Sequence, residues 1–134
     1  MTGTKDLSEL LKAMAPKVRE RDLVFCTIPW EDIPDTTIDP LCLFKEEEGF
    51  SLILTKKQAD SLGLNYDGVW TRIELMVHSD LMAIGFLSAI SKALADGEIS
   101  VNVVSAHFHD HLFVLSDQAK KAIKLLEQLS KDLP

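Results

Sequence analysis

Two stretches of this chain share one pattern, and that repetition restricts the possible folds more than any other feature. "GFSLILTKKQADSL" (49–62) and "DHLFVLSDQAKKAI" (110–123) each run as an apolar strand ending in Leu, then Thr or Ser, then a helix-forming segment with Gln-Ala near its start. The offset is about 60 residues. A second strand-like run precedes each copy, "LCLFK" (41–45) and "ISVNVVSAHF" (99–108). A strand–strand–helix unit therefore occurs twice, which predicts a duplicated architecture of mixed helix and strand.

The remaining elements fit around the repeat. "DLSELLKAMAP" (6–16) has Asp6 as a helix cap with Glu9 three residues on, Leu7, Leu10, Leu11 and Met14 on one face, and Pro16 as a stop. "DLVFCTI" (22–28) reads as a buried strand, and "PWEDIPDTTIDP" (29–40) as a loop or irregular edge. Thr55 and Gln58 have capping spacing for the next helix, and Gly63 stands where its C-terminal cap belongs. "WTRIELMVHS" (70–79) alternates as a strand, with Ile73, Leu75 and Val77 to one side and Arg72, Glu74, Met76 and His78 to the other. A helix is expected at about 81–95, ended by Gly97, and a last one after Ser116, with that serine as its cap.

Charge narrows the function. The 134 residues carry a formal net charge of -7, and nucleic-acid binding needs clustered Lys and Arg instead. The longest nearly apolar run, "LMAIGFLSAI" (81–90), is far short of the roughly 18 residues that span a bilayer. The N-terminus lacks the apolar core of a signal peptide. These features predict a cytoplasmic chain without nucleic acid or membrane as partner. Cys26 and Cys42, each inside a strand, are expected to be reduced thiols. Glu46, Glu47 and Glu48 read as a solvated hairpin end.

Two stretches are candidate sites. "AHFHDHLFV" (106–114) places three of the four histidines within five positions. On one continuous strand His107, His109 and His111 would share a face and could bind a transition metal. The string also resembles the His-x-His-x-Asp-His ligands of metallo-β-lactamase-like hydrolases, one residue short. A turn at about Phe108–Asp110 would instead split the histidines between two strands, and the flanking apolar runs favour that turn. The second stretch is the junction "VHSDLMAIGFLSAI" (77–90). Ser79 or Asp80 can cap the helix there, leaving N–H groups free to hold a carboxylate or phosphate. Gly85 costs stability relative to Ala unless something approaches the backbone or the helix packs tightly. His78, Ser100 and Asn102 sit at strand positions that face either solvent or a ligand. No nucleophile elbow, phosphate loop or dinucleotide fingerprint occurs, so neither catalysis nor a cofactor is expected.

The segment "HSDLMAIGFLSAISKALADGEISVNVVSA" (78–106), with "GFSLILTKKQADSLGL" and "HFHDHLFVLSDQA", resembles the ACT domain family. The whole chain is similar to small stand-alone bacterial proteins with two ACT-like units and to CASTOR-type amino-acid sensors. The resemblance implies an α+β fold: duplicated ferredoxin-like βαββαβ units with an antiparallel sheet and helices on one face, divided as residues 1–68 and 69–134. It implies a non-enzymatic module that binds an amino acid, forms a homodimer and acts on a separate enzyme. Asp80, Ile84, Gly85 and Phe86 match the family's ligand loop, and Asp110 matches its hairpin aspartate. Helix-terminal N–H groups would hold the α-carboxylate and Asp110 the ammonium or guanidinium; His78, Ser79 and Asn102 complete the expected ligand set. The family's Gly-Ile-Asn-Ile run is Glu98-Ile99-Ser100-Val101 here, and Ala83 stands where the sensors carry an acidic residue. The alternatives are a protein-interaction module without ligand and a metal-binding protein or hydrolase using the three histidines.

Overall fold

The computed structural model describes residues 3, 5–32 and 38–133. Along the chain the elements are α1 (Leu7–Ala13), β1 (Pro16–Val18), β2 (Leu23–Ile28), β3 (Cys42–Glu46), β4 (Gly49–Thr55), α2 (Lys56–Leu62), β5 (Trp70–Leu75), α3 (Phe86–Asp96), β6 (Asn102–Ser105), β7 (Asp110–Leu115) and α4 (Ala119–Lys131), with single 3-10 turns at Trp30–Asp32 and Ser116–Gln118. No described helix is long and apolar enough to cross a membrane.

Contacts divide the chain into two units, Arg21–Trp70 and a discontinuous unit of Met1–Glu20 with Thr71–Pro134. A division into residues 1–68 and 69–134 keeps nearly the same central boundary, but the first twenty residues pack with the C-terminal half. Two interactions hold them there. Pro16, Lys17 and Val18 of β1 pair antiparallel with Leu75, Glu74 and Ile73 of β5. Leu10, Leu11 and Met14 lie in the same core as Ile73, Leu75, Phe86, Ile90, Leu94, Leu112, Val114 and Leu126.

In this discontinuous unit the sheet order is β1-β5-β7-β6. The order β5-α3-β6-β7-α4, completed by β1 from the N-terminus, is the ferredoxin-like βαββαβ plan in circularly shifted form. Strand alternation assigns the two faces. Ile73, Leu75, Leu112 and Val114 meet α1, α3 and α4 in the core; Arg72, Glu74 and His111 project from the other side. β1 is a strand that the apolar pattern did not reveal, because three residues are too few to alternate visibly.

The Arg21–Trp70 unit has the sheet order β3-β4-β2, with β2 antiparallel to β4 from Leu23↔Thr55 to Ile28↔Phe50. Trp70 faces Leu23 and stacks edge-on against Phe25 at 5.4 Å between ring centroids. Its core is Val24, Cys26, Ile28, Leu52, Leu54 and Ala59. Between β2 and β3 the described residues form only the 3-10 turn at Trp30–Asp32; residues 33–37 of that predicted loop lie outside the described residues. Both cysteines are free, and burial pushes the Cys26 thiol pKa up.

Local signals set several boundaries as expected. Asp6 accepts from Glu9 N–H at 2.9 Å and Thr55 from Gln58 N–H at 3.2 Å, while Gly63 ends α2 with φ +68°. Several boundaries differ, and β6 covers only Asn102–Ser105 of the 99–108 run. β5 stops at Leu75, so His78 is not on it. Ser116 opens a 3-10 turn, not α4, and its hydroxyl pairs with Thr71 Oγ1 at 2.9 Å. The third helix begins at Phe86, not 81. There Asp80 closes a turn, accepting Met82 N–H on Oδ1 at 2.8 Å and Ala83 N–H on its carbonyl at 2.9 Å. Gly85 then takes φ +91°, which interrupts helical geometry.

Candidate functional site

The 76–85 connection, the start of α3 and the β6–β7 hairpin surround one cleft of about 50 Å³, lined by Ser79, Asp80, Leu81, Ala83, Phe86, Leu87, Ser105 and Asp110. Asp110 opens β7 on the core side of the sheet and is only 4% exposed. Ser79, also buried, donates its hydroxyl proton to Asp110 Oδ2 at 2.7 Å. Ser105 lies opposite Asp110 in the hairpin register. Among the described residues Ser79 is the one side-chain donor to this carboxylate, which leaves it further acceptor capacity.

The other wall is the first turn of α3. Gly85 is its N-cap and supplies no side-chain hydrogen bond, so among the described residues the first N–H groups of an eleven-residue helix have no capping side chain. Such groups favour an anion. Leu7 packs 3.5 Å from where a Cβ on Gly85 would lie, so the positive φ, more than crowding, calls for glycine there. The backbone of Gly3 runs against the same connection. A Cβ on it would come 2.5 Å from the His78 carbonyl oxygen and 2.7 Å from Asp80 N.

The structure sorts the residues singled out from the sequence. Ser79, Asp80, Phe86 and Asp110 line the cleft, with Gly85 beside it as the helix cap. Ile84 points outward at 87% exposure, and Asn102 is exposed on β6 opposite Phe113; neither lines the cleft. His78 stacks with Phe108 at 5.7 Å instead of entering it. Leu81, Leu87 and Ser105 also line it and were not anticipated. The hairpin register places Ser105, and only the shift of the helix start to residue 86 brings Leu87 to the mouth.

The histidines divide between two neighbourhoods. His107 sits against Phe108, with ring centroids 4.8 Å apart, and near His78 at 6.5 Å. His109 and His111 approach Glu74 on the opposite face from Asp110, with Nδ1 atoms 4.0 and 3.8 Å from its Oε1. Arg19 donates to Glu74 Oε2 through Nε at 3.1 Å and Nη2 at 2.8 Å. Arg72 pairs with Glu20 through Nε at 2.6 Å and Nη2 at 2.9 Å, and its Nη1 lies 3.1 Å from His111 Nδ1. That guanidinium occupies the lone pair a metal would need. Among the described residues no group of three or more His, Cys, Asp or Glu is placed to hold a metal ion.

Burial raises the pKa of Glu74, but the Arg19 hydrogen bond and the charges of Arg19, His109 and His111 more than reverse this and leave it below the ordinary value. The Arg72 hydrogen bond lowers Glu20. Burial, aided by the Arg72 charge, lowers His111 and keeps its imidazole neutral to more acidic pH.

Comparisons with known proteins bear on the fold and the family. Two family models, both described as ACT domain, match residues 2–71 and 71–128. A solved Vibrio cholerae protein of unknown function, described as a possible transport protein, is 33% identical with a TM-score of 0.81, covering 94% of this chain and 97% of that one. An Agrobacterium tumefaciens protein is 17% identical with a TM-score of 0.72, covering 86% and 87%. The ligand-free regulatory subunit of aspartate kinase from Thermus thermophilus shares the fold at 8% identity and a TM-score of 0.64, covering 88% and 97%. No curated protein matches.

Proposed function

This chain belongs to the ACT-domain family, and from that premise we propose that it is a non-enzymatic sensor that binds a free amino acid and regulates a separate protein. ACT domains are regulatory, non-catalytic modules that typically bind small molecules and form oligomers, and the aspartokinase regulatory subunits among the structural neighbours have the same fold. The observation that carries the reading is Asp110, a buried carboxylate lining a cleft whose facing wall is the uncapped start of α3. One end matches an ammonium and the other a carboxylate, the two charges common to every free amino acid. The sensor acts as a homodimer, which sedimentation equilibrium tests directly.

Thermal-shift and calorimetric titration with the twenty amino acids tests the binding. Ligand at about 100 times its dissociation constant stabilises by roughly 2.7 kcal/mol, a plainly visible rise in the melting midpoint. Absence of a response to all twenty overturns the reading.

A second reading, a protein-interaction module, is favoured by the apolar residues beside the cleft. Leu81, Met82, Ile84 and Phe108 are each more than 60% exposed, an unusual density of apolar side chains in water. Partner capture that survives Asp110→Asn but fails in Met82→Ser would establish it.

A further inference from the structure

Resting on the reading of the chain as a homodimer, we infer that two copies meet through an apolar surface formed by residues 81–84 and Phe108, in an isologous contact about a two-fold axis. Two segments of one unit make this surface, and they are tied together. Ser79 donates to Asp110 across 2.7 Å, and His78 packs against Phe108 with ring centroids 5.7 Å apart. The connection before α3 and the tip of the β6–β7 hairpin therefore present their outer sides together.

Those sides carry an uncommon amount of exposed carbon. Leu81, Met82, Ile84 and Phe108 all exceed 60% exposure, and among the described residues one other large apolar side chain does so, Phe44 on β3. Local geometry holds the segment open. The Asp80 turn begins it, with Met82 N–H on Oδ1 at 2.8 Å, and Gly85 at φ +91° ends it. Such a turn is fixed by its ends, so large apolar side chains between them gain nothing until something covers them.

Area and charge select a second copy as the cover. Four side chains of this size and exposure put roughly 400 Å² of carbon in water. Two copies face to face remove about twice that. The exposed rim of Ser105, Ala106 and His107 carries the total to the roughly 1,000 Å² at which specific interfaces begin. Each chain has a formal net charge of -7, so two copies repel over most of their surfaces. Residues 81–84 and 105–108 include no Asp, Glu, Lys or Arg, and Asp80 at their edge turns its Oδ1 into its own backbone. This face is where two acidic chains approach at low electrostatic cost. Set against itself, it closes at two copies.

Sedimentation equilibrium of the intact chain over a concentration series tests the inference. The expected result is a dimer whose dissociation constant rises at least about a hundredfold in Ile84→Asp and in Phe108→Asp, because a two-fold contact buries each new charge twice. Circular dichroism reports whether each variant is folded, and where one unfolds the other decides. Ile84→Leu keeps the carbon and is expected to keep the dimer. Phe44→Asp, outside the surface, is the control and is expected to keep it too. Added NaCl screens the repulsion between acidic chains, so the dimer is expected to hold or tighten. A dimer that survives both charge substitutions, as one joined through strand edges would, overturns the inference while leaving the homodimer in place. A dimer lost in Phe44→Asp, or one that salt weakens, overturns it in the same way. A chain monomeric at every concentration removes the homodimer and the inference with it, and leaves the surface to a different partner.

Discussion

The Ser79 hydroxyl donates to Asp110 Oδ2 across 2.7 Å, joining two buried side chains 31 residues apart in sequence. This bond ties the connection after β5 to the first residue of β7 and orients the carboxylate that lines the cleft. Its partners come from opposite ends of a crossover through α3, so it reports on the packing of the whole unit.

Ser79→Ala removes the one side-chain donor that reaches that carboxylate among the described residues. The expected cost is about 1–3 kcal/mol, the usual penalty for stranding a buried polar group. Urea denaturation of the variant checks it. Ser79→Thr, which keeps a hydroxyl, should recover most of the loss.

Acid weakens this fold in two steps. His111 is held below its ordinary value near 6.5 by burial and then by Arg72. The unfolded chain therefore takes up a proton first. The stability from neutral His111 is complete above about pH 7.5 and is lost as pH falls through 6.5 toward the lower folded value. Glu20 and Glu74, both held below 4.5, contribute stability that is present above that range and is lost as pH falls through it. The melting midpoint should thus be flat between about pH 7.5 and pH 8, decline as pH falls through the imidazole range, and decline again below about pH 5. His111→Gln should remove the upper step and retain the lower one.

Gly85→Ala places a side chain at φ +91°. The space is adequate, since the new Cβ would stand 3.5 Å from Leu7 Cδ2, so the expected loss is the conformational one of about 1–2 kcal/mol. Thermal denaturation measures it. A loss of ligand response larger than this stability change accounts for would show that the helix start has moved.

Leu10→Ala should damage the C-terminal half although the residue lies near the N-terminus. Leu10 is fully buried in the core shared with Ile90, Leu112 and Leu126. The expected loss is about 2–5 kcal/mol. Native-state hydrogen exchange should show faster exchange in α3 and α4, while β2 and β4 keep their protection.

Much of the fold was readable in advance because its signals are short-range. The caps at Asp6 and Thr55 and the left-handed Gly63 need only neighbours three to five residues away. The alternation of β5 likewise shows in six consecutive residues. Part of the site was readable for the same reason: Ser79, Asp80 and Phe86 flank a strand-to-helix junction, and Asp110 opens an apolar strand. The places of Ile84, Asn102 and His78 were not readable: the Asp80 turn sends Ile84 outward, Asn102 lies on the exposed side of its hairpin, and His78 stands beyond the end of β5 against Phe108. The division of the other histidines by a turn was readable from the flanking apolar runs, and it sends His107 one way and His109 and His111 another.

By itself, the sequence determined the element types, the two related strand–strand–helix segments and the family, since each rests on periodicity, caps or motifs confined to contiguous residues. Tertiary structure alone decided that residues 1–20 complete the C-terminal unit, that Glu74 gathers Arg19 from 55 positions away, and that Ser79 meets Asp110. Those outcomes depend on strand order and register, which are settled by burying one shared core, and no short window of sequence contains that competition.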